Sequence, residues 1–265
     1  MKIKLGCDPE VFLTDAAGAL VSSIGKIGGS KQHPRQLPIG PGYFVQEDNV
    51  ALEFNIPPAE SKELFVNYIK NVKNYLGAYV TELGMKFSAE SAAHFPVEQL
   101  QHPAAMEFGC DPDFNAWNGG QANLKPMADD WRLRSCGGHV HVGYKFATRR
   151  EVLRFIKMMD LYLGVPSVLM DNGELRKQLY GAAGAFRFKP YGAEYRTLSN
   201  FWIFKDELIE WVWNATELAM DAWQNKKDKQ IVSDDADNIL LAVNGNSKET
   251  AQMLVNKYNL PVVYA

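Results

Sequence analysis

The segment Ser135–Tyr144 reads Ser-Cys-Gly-Gly-His-Val-His-Val-Gly-Tyr and places His139 and His141 two residues apart. Its alternation of polar and apolar residues predicts a β-strand, in which residues i and i+2 point to the same face of the sheet. Two imidazoles on one strand face rarely serve packing, and they are candidates for metal ligation or phosphate contact. The segment therefore predicts a sheet with one chemically active face.

Three other strand-like segments carry polar side chains at the same spacing. These pairs are Asp8 and Glu10, Glu53 and Asn55, and Glu194 and Arg196. If all four segments lie side by side in one sheet, their shared face becomes a bed of carboxylates, imidazoles and a guanidinium. A hydrophobic core cannot be built from such positions, so we expect this face to form the functional site.

Four carboxylates in one site require positive charge to compensate them. Two like charges about 4 Å apart repel by roughly 4 kcal/mol at an effective dielectric constant near 20. Oxygen-rich sites with one or two imidazoles suit magnesium or manganese better than zinc, and magnesium is often shared between carboxylates and substrate phosphates. The sequence therefore predicts a divalent cation at this face.

Each pair also has an ordinary structural interpretation. In addition, some classes of metal site can be excluded because the chain lacks residues that they require. Asp8-Pro9-Glu10 is typical of a turn, and Glu194-Tyr195-Arg196 is typical of a surface ion pair. None of the five histidines follows His141, so an amidohydrolase, which needs later histidine ligands, does not fit. A zinc site that begins at Cys136 lacks a Cys-x-x-Cys partner.

The arrangement of predicted elements indicates the fold class. A 3.6-residue apolar period predicts a six-turn helix from Ser61 to Leu83, and Thr148 with Glu151 forms a capping box that opens a helix to about Val168. A Trp-rich helix is expected from about Lys205 to Gln224, and only short helices are expected beyond Lys226. Because single helices separate strand-rich segments without a regular βαβ rhythm or a linker, we expect one α+β domain over residues 1–265, with a mostly antiparallel sheet.

Composition excludes several classes of protein. The chain has 265 residues, 46% of them apolar, and a net charge of −3 with no basic stripe, which argues against disorder and against general nucleic-acid binding. Lys157, Asp160 and Pro166 interrupt the most apolar stretch, so no membrane span is expected. The absence of a signal-like start and the three widely spaced cysteines favour a reducing cytoplasm.

Two segments are candidates for neutralising a phosphoryl group. The segment from Gly25 to Lys31 resembles a glycine-rich anion loop, but it lacks the Walker order and no helix pattern follows it. A second, basic segment surrounds residues 181–192, where a solvated loop is the alternative. Its four basic side chains are Arg176, Arg187, Lys189 and Arg196.

Taken together, these motifs resemble the carboxylate–amine ligases of the glutamine synthetase and glutamate–cysteine ligase superfamily. They are most similar to the compact phage-type COOH–NH2 ligase branch. Its Gly-Gly-x-Lys loop, Asp-Asn-x-x-x-Glu-x-Asn strand and Glu-Tyr-Arg strand look like Gly28–Lys31, Asp48–Asn55 and Glu194–Arg196. The resemblance covers roughly residues 5–200. It implies a glutamine-synthetase-like catalytic domain with a curved, mostly antiparallel sheet and helices on one face.

The resemblance also implies a reaction and a set of site residues. ATP would phosphorylate a substrate carboxylate, and an amine would attack the acyl phosphate, which yields an amide, ADP and phosphate. Mg²⁺ or Mn²⁺ would be held by Asp8, Glu10, Glu53, His139 and Glu194. Contacts to ATP or substrate would come from Lys31, His141, Arg176, Lys189 and Arg196, and the catalytic candidates are Arg196, Arg187 and His141. The number of metal ions stays open, because the first strand has Asp-x-Glu where larger relatives have Glu-x-Glu.

Two further functions remain as alternatives: a metal-dependent hydrolase of amide or phosphate bonds, and an inactive nucleotide-binding protein. The expected partners are small-molecule or peptide carboxylates and amines, and a homo-oligomer is possible. The expected compartment is the cytoplasm, or the host cytoplasm if the protein is encoded by a phage.

The motif Gly6–Glu10 recurs as Gly109–Asp113. This repeat could bring Asp111 or Asp113 to the substrate pocket and Phe114 or Trp117 to the adenine, although chance turn chemistry explains it equally well.

Overall fold

The computed structural model describes residues 3–106, 113–124 and 129–264. Within these residues, the strands are β1 (Lys4–Cys7), β2 (Glu10–Asp15), β3 (Leu20–Val21), β4 (Arg35–Gln36), β5 (Phe44–Asp48), β6 (Ala51–Asn55), β7 (Met85–Ser88), β8 (Ala92–His94), β9 (Phe114–Asn115), β10 (Gln121–Ala122), β11 (Leu133–Ser135), β12 (Val140–Gly143), β13 (Ala185–Lys189) and β14 (Gly192–Tyr195). The helices are α1 (Lys62–Glu82), α2 (Pro103–Met106), α3 (Arg149–Met159), α4 (Val165–Met170), α5 (Asp206–Gln224), α6 (Asp228–Asn244) and α7 (Lys248–Tyr258).

The strands form two large antiparallel sheets and a small two-stranded one. The first sheet has the order β1-β12-β14-β13-β9-β10, and the second has the order β3-β2-β6-β5-β4 with β7 also paired to β2. Every pairing among the described strands is antiparallel. The predicted α+β class with a mostly antiparallel sheet is therefore confirmed.

The expectation that the four polar segments lie in one sheet is wrong, because the chain passes from one sheet to the other at Asp8-Pro9. β1 pairs with β12, whereas β2 pairs with β6. The Pro9 carbonyl accepts a hydrogen bond from the Phe54 amide at 3.2 Å, and the Glu10 amide donates to the Gly137 carbonyl at 2.9 Å. Proline has no amide hydrogen for a strand ladder, so the ladder changes partners there. Asp8 and Glu10 consequently belong to different sheets.

The helices follow the sequence pattern closely until the C-terminal region. α1 buries one apolar stripe and begins at Ser61, whose side chain accepts from the Leu64 amide. The capping box of Thr148 and Glu151 opens α3, which continues through a π-helical turn at Asp160–Gly164 into α4. The predicted helix before Gln224 is also present, as α5.

The expectation of only short helices beyond Lys226 is wrong. α6 has 17 residues and α7 has 11. α6 contains a non-helical residue at Asp235, and it packs on the core through Ile231 and Ile239, which lie on either side of that residue. The buried positions keep a helical spacing, but two of them, Asp228 and Asp235, are acidic, so the apolar pattern along the sequence is incomplete. Among the helices in the described ranges, none has the length and apolarity needed to cross a membrane.

The first sheet separates an apolar side from a polar side. Val142 and Tyr195 are fully buried in the main core, which also contains residues of α3 and α5. His141, Glu194 and Arg187 lie opposite one another in register on three adjacent strands. Because side chains alternate along a strand, these three face away from the helices. The functional residues are thus displayed on the sheet surface that the helices do not cover.

Candidate active site

One acidic group forms where the polar face of the first sheet meets the end of β1. Asp8 follows β1 directly, and its Oδ1 lies 3.1 Å from Nε2 of His141 and 3.2 Å from Nδ1 of His139. Ligand atoms of Asp8, His141 and Glu194 all lie within 4.8 Å of one another. These three residues are named the first cluster. His139 lies against it, with Nδ1 3.9 Å from Glu194 Oε1.

Basic side chains from β13 and β14 surround the fully buried carboxylate of Glu194. Lys189 Nζ lies 2.6 Å from Oε2, and Arg187 Nη1 lies 3.5 Å from Oε1. Arg196 Nη1 also donates to Glu194 Oε1 and lies 3.2 Å from His139 Nδ1. The first cluster therefore has its negative charge compensated by the protein.

The pKa values of the first cluster reflect this compensation. Burial opposes ionisation of Asp8, but the charges of His141 and His139 outweigh it and hold the pKa of Asp8 well below its ordinary value. Burial and Asp8 also oppose ionisation of Glu194, yet Arg196 and the two imidazoles lower its pKa to about 2. Burial and the nearby Arg196 lower the pKa of His139 to about 4, so this imidazole is neutral at pH 7. Both carboxylates are accordingly ionised in the folded protein.

A second acidic group lies on the neighbouring sheet. Glu10 and Glu53 are directly opposite each other on β2 and β6, and Asp48 ends β5. Ligand atoms of these three residues lie within 4.8 Å of one another, and we name them the second cluster. Its hydrogen-bond donors are neutral: the Gly137 amide donates to Glu10 Oε2 at 2.7 Å, and Gln46 Nε2 donates to Glu53 Oε2 at 2.9 Å.

The pKa values of the second cluster shift in the opposite direction. Burial, followed by the charge of Asp48, raises the pKa of Glu10 to about 8. Burial together with the charges of Asp8, Asp48 and Glu10 raises the pKa of Glu53 well above its ordinary value. These carboxylates would favour a bound cation, because a cation offsets both the cost of burying their charge and their mutual repulsion.

The two clusters are close enough to act on each other. Asp8 of the first cluster raises the pKa of Glu53, and Arg196 lowers the pKa of Glu10. The structure therefore brings together all five predicted metal ligands and the three basic residues Arg187, Lys189 and Arg196. The sequence interpretation missed Asp48 as a site residue, although Asp48 stands in the motif that carried the resemblance. Asp48 ends β5 directly before Asn49, which adopts a positive φ. Because Asn tolerates this conformation in turns, the pair Asp48-Asn49 is the sequence signal that could have identified this strand end.

Arg176 is placed differently from the other predicted basic residues. It is buried, and it donates from Nη1 to the Thr197 carbonyl at 3.0 Å and from Nη2 to the Arg196 carbonyl at 3.4 Å. Its charge lowers the pKa of Glu10. These contacts favour a role in fixing the backbone that carries Arg196.

The glycine-rich loop holds an internal carboxylate. The amides of Gly25, Ile27 and Gly28 all donate to the side chain of Glu47, at 3.0, 3.0 and 2.8 Å. The segment therefore binds an anion, as its similarity to glycine-rich anion loops indicated. The anion is the Glu47 carboxylate of the same chain. Lys31 is exposed on this loop and is not a member of either cluster.

The repeated Gly-Cys-Asp-Pro motif lies only partly in the described residues. Asp113 Oδ2 is 3.7 Å from Arg196 Nε, which places Asp113 at the edge of the first cluster. Asp111 lies outside the described residues. Phe114 packs against Phe186 and Phe188, and the indole N–H of Trp117 donates to Asp160 on the helix side of the sheet.

A comparison with known families gives a match for this chain. A family model described as "Phage phiEco32-like COOH.NH2 ligase-type 2" matches residues 121–249. The match confirms the resemblance to phage-type COOH–NH2 ligases and supports an enzyme that joins a carboxylate to an amine. It includes His141, Glu194 and Arg196, whereas Asp8 and the second cluster precede it. No curated protein matches the chain.

Proposed function

We propose that the protein is an ATP- and Mg²⁺-dependent ligase that forms an amide from a carboxylate and an amine through an acyl phosphate. The observation that carries this proposal is that a charge-compensated acidic cluster on the first sheet lies next to a cluster on the second sheet whose carboxylates have raised pKa values. A centre that stabilises a transferring phosphoryl group needs bound cations and fixed basic side chains together.

The residues present fit divalent metal ions. Each cluster offers oxygen-rich ligands, and the second cluster contains buried carboxylates whose neighbours are neutral donors. We assign Asp8, His141 and Glu194, with His139 beside them, to one metal site, and Glu10, Asp48 and Glu53 to another. Mg²⁺ or Mn²⁺ at these sites would neutralise charge on the phosphates of ATP and on the substrate carboxylate.

Arg196 is the residue assigned to charge stabilisation on the γ-phosphate. Its guanidinium lies between His139 and Glu194, and Arg176 holds its backbone carbonyl. Arg187 and Lys189 reach the same carboxylate from the neighbouring strand, so they can share the developing charge. Lys31 remains a proposed nucleotide contact on the exposed loop.

His141 is held in a defined orientation by two neighbours. Tyr191 contacts its Nδ1 at 2.8 Å, and the opposite ring nitrogen lies 3.1 Å from Asp8. If Nδ1 donates to the tyrosine oxygen, the Nε2 lone pair faces the cluster. His141 can then act as a ligand or as a contact to a phosphate oxygen.

The proposed reaction has two steps. An oxygen of the substrate carboxylate bonds to the γ-phosphorus of ATP, and the bond from that phosphorus to the bridging oxygen breaks, which releases ADP. The amine nitrogen then attacks the acyl carbon, phosphate leaves, and the amine loses a proton. The ligands are expected to be small-molecule or peptide carboxylates and amines, and the compartment is expected to be the cytoplasm.

The test is to incubate the purified protein with ATP, Mg²⁺ and mixtures of amino acids or polyamines, and to measure ADP and new amide products. A ligase sustains ADP formation beyond one equivalent of enzyme only when both substrates are present, and it forms an amide of matching mass. A hydrolase cleaves its bond without ATP, and a protein that only binds nucleotide gives a thermal shift without ADP. Either of the last two results would contradict the proposal.

A further inference from the structure

A large cavity lies on the helix side of the first sheet, away from both acidic clusters. It has a volume of about 880 Å³, and its wall includes Trp117, Lys157 and Lys229. Trp117 and Lys157 belong to the side of the sheet on which Asp160 lies, since the Trp117 indole donates to Asp160 Oδ2 at 2.7 Å. The first cluster occupies the opposite face of this sheet, the second cluster lies on the other sheet, and no residue of either cluster lines the cavity. This cavity therefore takes no part in the proposed reaction.

One wall of the cavity is the loop of residues 115–120, which contains Trp117 and is held in place by hydrogen bonds and packing. Asn115 Oδ1 accepts from the Trp117 amide at 2.8 Å and from the Asn118 amide at 3.3 Å, which closes the turn. A Cβ at Gly120 would lie 3.2 Å from the Leu153 side chain, so the loop rests tightly against α3. The indole bond to the fully buried Asp160 fixes the ring itself. The cavity therefore has a preformed wall.

The charge lining the cavity is unbalanced. Three of its charged side chains are already used within the protein: Arg154 binds Asp228 at 2.6 and 2.7 Å, and Glu151 caps α3. The remaining charged side chains are Arg150, Lys157 and Lys229. Across residues 3–106, 113–124 and 129–264, no carboxylate oxygen lies within 4.0 Å of any of these three cations.

Lys157 is the most informative of the three cations. It is half-buried, and its Nζ lies 4.8 Å from the centre of the Trp117 ring. Burial lowers the pKa of Lys157, and the more distant Asp160 and Asp228 offset this only in part. A half-buried ammonium without an adjacent carboxylate gains most from an anion that enters the cavity.

We propose that this cavity is a second binding site, for a small anion that carries several phosphate charges. The volume lies within the range of small-molecule sites, and the three cations supply the charge for a short phosphate chain. A free polyphosphate and the phosphate chain of a nucleotide share this chemistry. The inference goes beyond the proposed function and does not depend on it.

The test uses inorganic tripolyphosphate and ATP as separate probes, with the full chain at low salt and without divalent cations. Calorimetry gives the dissociation constant, and the fluorine NMR signal of 5-fluorotryptophan at position 117, assigned with Trp117→Phe, reports on the cavity. The variants are Lys157→Gln and Lys229→Gln. Lys145→Gln, an exposed lysine outside the cavity, is the matched control, and Arg187→Gln removes a cation of the acidic centre.

The proposal predicts saturable binding of tripolyphosphate that shifts the Trp117 signal. Binding that shifts the Trp117 signal is expected to weaken about tenfold in Lys157→Gln and less in Lys229→Gln, and to stay unchanged in Lys145→Gln. In Arg187→Gln the shift of the Trp117 signal should persist, whatever part of the calorimetric heat comes from the acidic centre. If ATP gives the same pattern, the ligand is a nucleotide phosphate chain. If ATP does not shift Trp117, the ligand is a free polyphosphate.

Three results would overturn the proposal. They are an absence of saturable tripolyphosphate binding, equal binding by the wild type and Lys229→Gln, or a loss of the Trp117 shift in Arg187→Gln alone. Lys229 is exposed, so its variant keeps the test decisive even if Lys157→Gln fails to fold. Loss of ligase activity would not produce any of these patterns, because no step of the reaction is measured.

Discussion

The two acidic clusters each contain three potential ligands, but the protein treats their charge in opposite ways. In the first cluster, β13 and β14 supply Arg187, Lys189 and Arg196, and the pKa of Glu194 falls to about 2. In the second cluster the hydrogen-bond donors are the Gln46 side-chain amide and a backbone N–H, and the pKa of Glu10 rises to about 8 although the charges of Arg196 and Arg176 oppose the rise. The first cluster is therefore ready in its charged form, whereas the second requires a cation to become charged.

This difference follows from the change of sheet at Asp8-Pro9. The basic side chains that contact Glu194 lie on β13 of the first sheet, for Arg187 and Lys189, or directly after β14, for Arg196, whereas β2, β5 and β6 of the second sheet contribute carboxylates. A continuous single sheet would have spread the cations over both groups. If both clusters bind metal ions as we propose, the unequal distribution predicts that the first site is preorganised and that binding at the second releases protons.

The largest expected effect is on the rate of amide formation, when a basic side chain that compensates the negative charge of the first cluster is removed. Arg196→Ala should lower ATP-dependent amide formation by about 10²–10³, because a fixed donor to the transferring phosphoryl group is lost. Turnover and far-ultraviolet circular dichroism are measured together, with Lys145→Ala as an exposed control. A folded Arg196→Ala protein with undiminished turnover would remove Arg196 from the mechanism.

The next effect concerns metal removal and pH. The folded-state pKa of Glu10 is about 8 against an ordinary value of 4.5, so Glu10 binds its proton more tightly in the folded protein. Its contribution to stability is complete below pH 4.5 and is lost as the pH rises through 8, by an amount on the order of a few kcal/mol.

Urea unfolding at several pH values, with EDTA or with saturating Mn²⁺, measures this dependence. Without metal, the free energy of unfolding should fall between pH 5 and pH 8, and Mn²⁺ should reduce the fall. A metal-free protein whose stability rises over this range would contradict the assignment of the second cluster as uncompensated.

A smaller effect is expected from single neutral substitutions that compare the clusters directly. Glu53→Gln should stabilise the metal-free protein at pH 8 by about 1 kcal/mol, since it removes one repelling carboxylate and keeps an oxygen for Gln46. Asp8→Asn should destabilise it, because Asp8 contacts both imidazoles. If both substitutions change the free energy of unfolding in the same direction, as measured by urea unfolding, the two clusters do not differ in how their negative charge is compensated.

The smallest expected effect comes from Tyr191→Phe. Loss of the hydroxyl next to His141 Nδ1 should weaken Mn²⁺ binding by up to about tenfold, because the ring loses the partner that orients it. Stability should change little, since Tyr191 is 47% exposed. Calorimetric titration measures the affinity, with Tyr264→Phe as the control. An unchanged affinity would show that Asp8 alone positions His141.

Much of the first cluster could be predicted because it obeys a local rule. His141, Glu194 and Arg196 lie on alternating positions of two strands, and alternation alone places them on one face. The capping box at Thr148 and the apolar period of α1 are equally local, and both are confirmed.

The remainder of the site depends on contacts between distant segments. The separation of Asp8 from Glu10 requires knowledge of which strands pair on either side of Pro9, and sequence spacing cannot supply it. The role of Glu47 as the anion of the glycine-rich loop was missed for the same reason, because the amides that donate hydrogen bonds to it lie some twenty residues earlier in the chain. The length of α6 was missed because two of its buried positions, Asp228 and Asp235, are acidic and so leave gaps in the apolar pattern.

The most direct test of the paired-cluster account is a calorimetric titration with Mn²⁺ at pH 7 in buffers of different ionisation enthalpy. The account predicts two binding events, of which one releases protons. Glu53→Gln should abolish the event that releases protons, and Asp8→Asn should abolish the other. Binding that releases no protons, or that is insensitive to both substitutions, would contradict the claim that the two clusters are separate cation sites with opposite charge compensation.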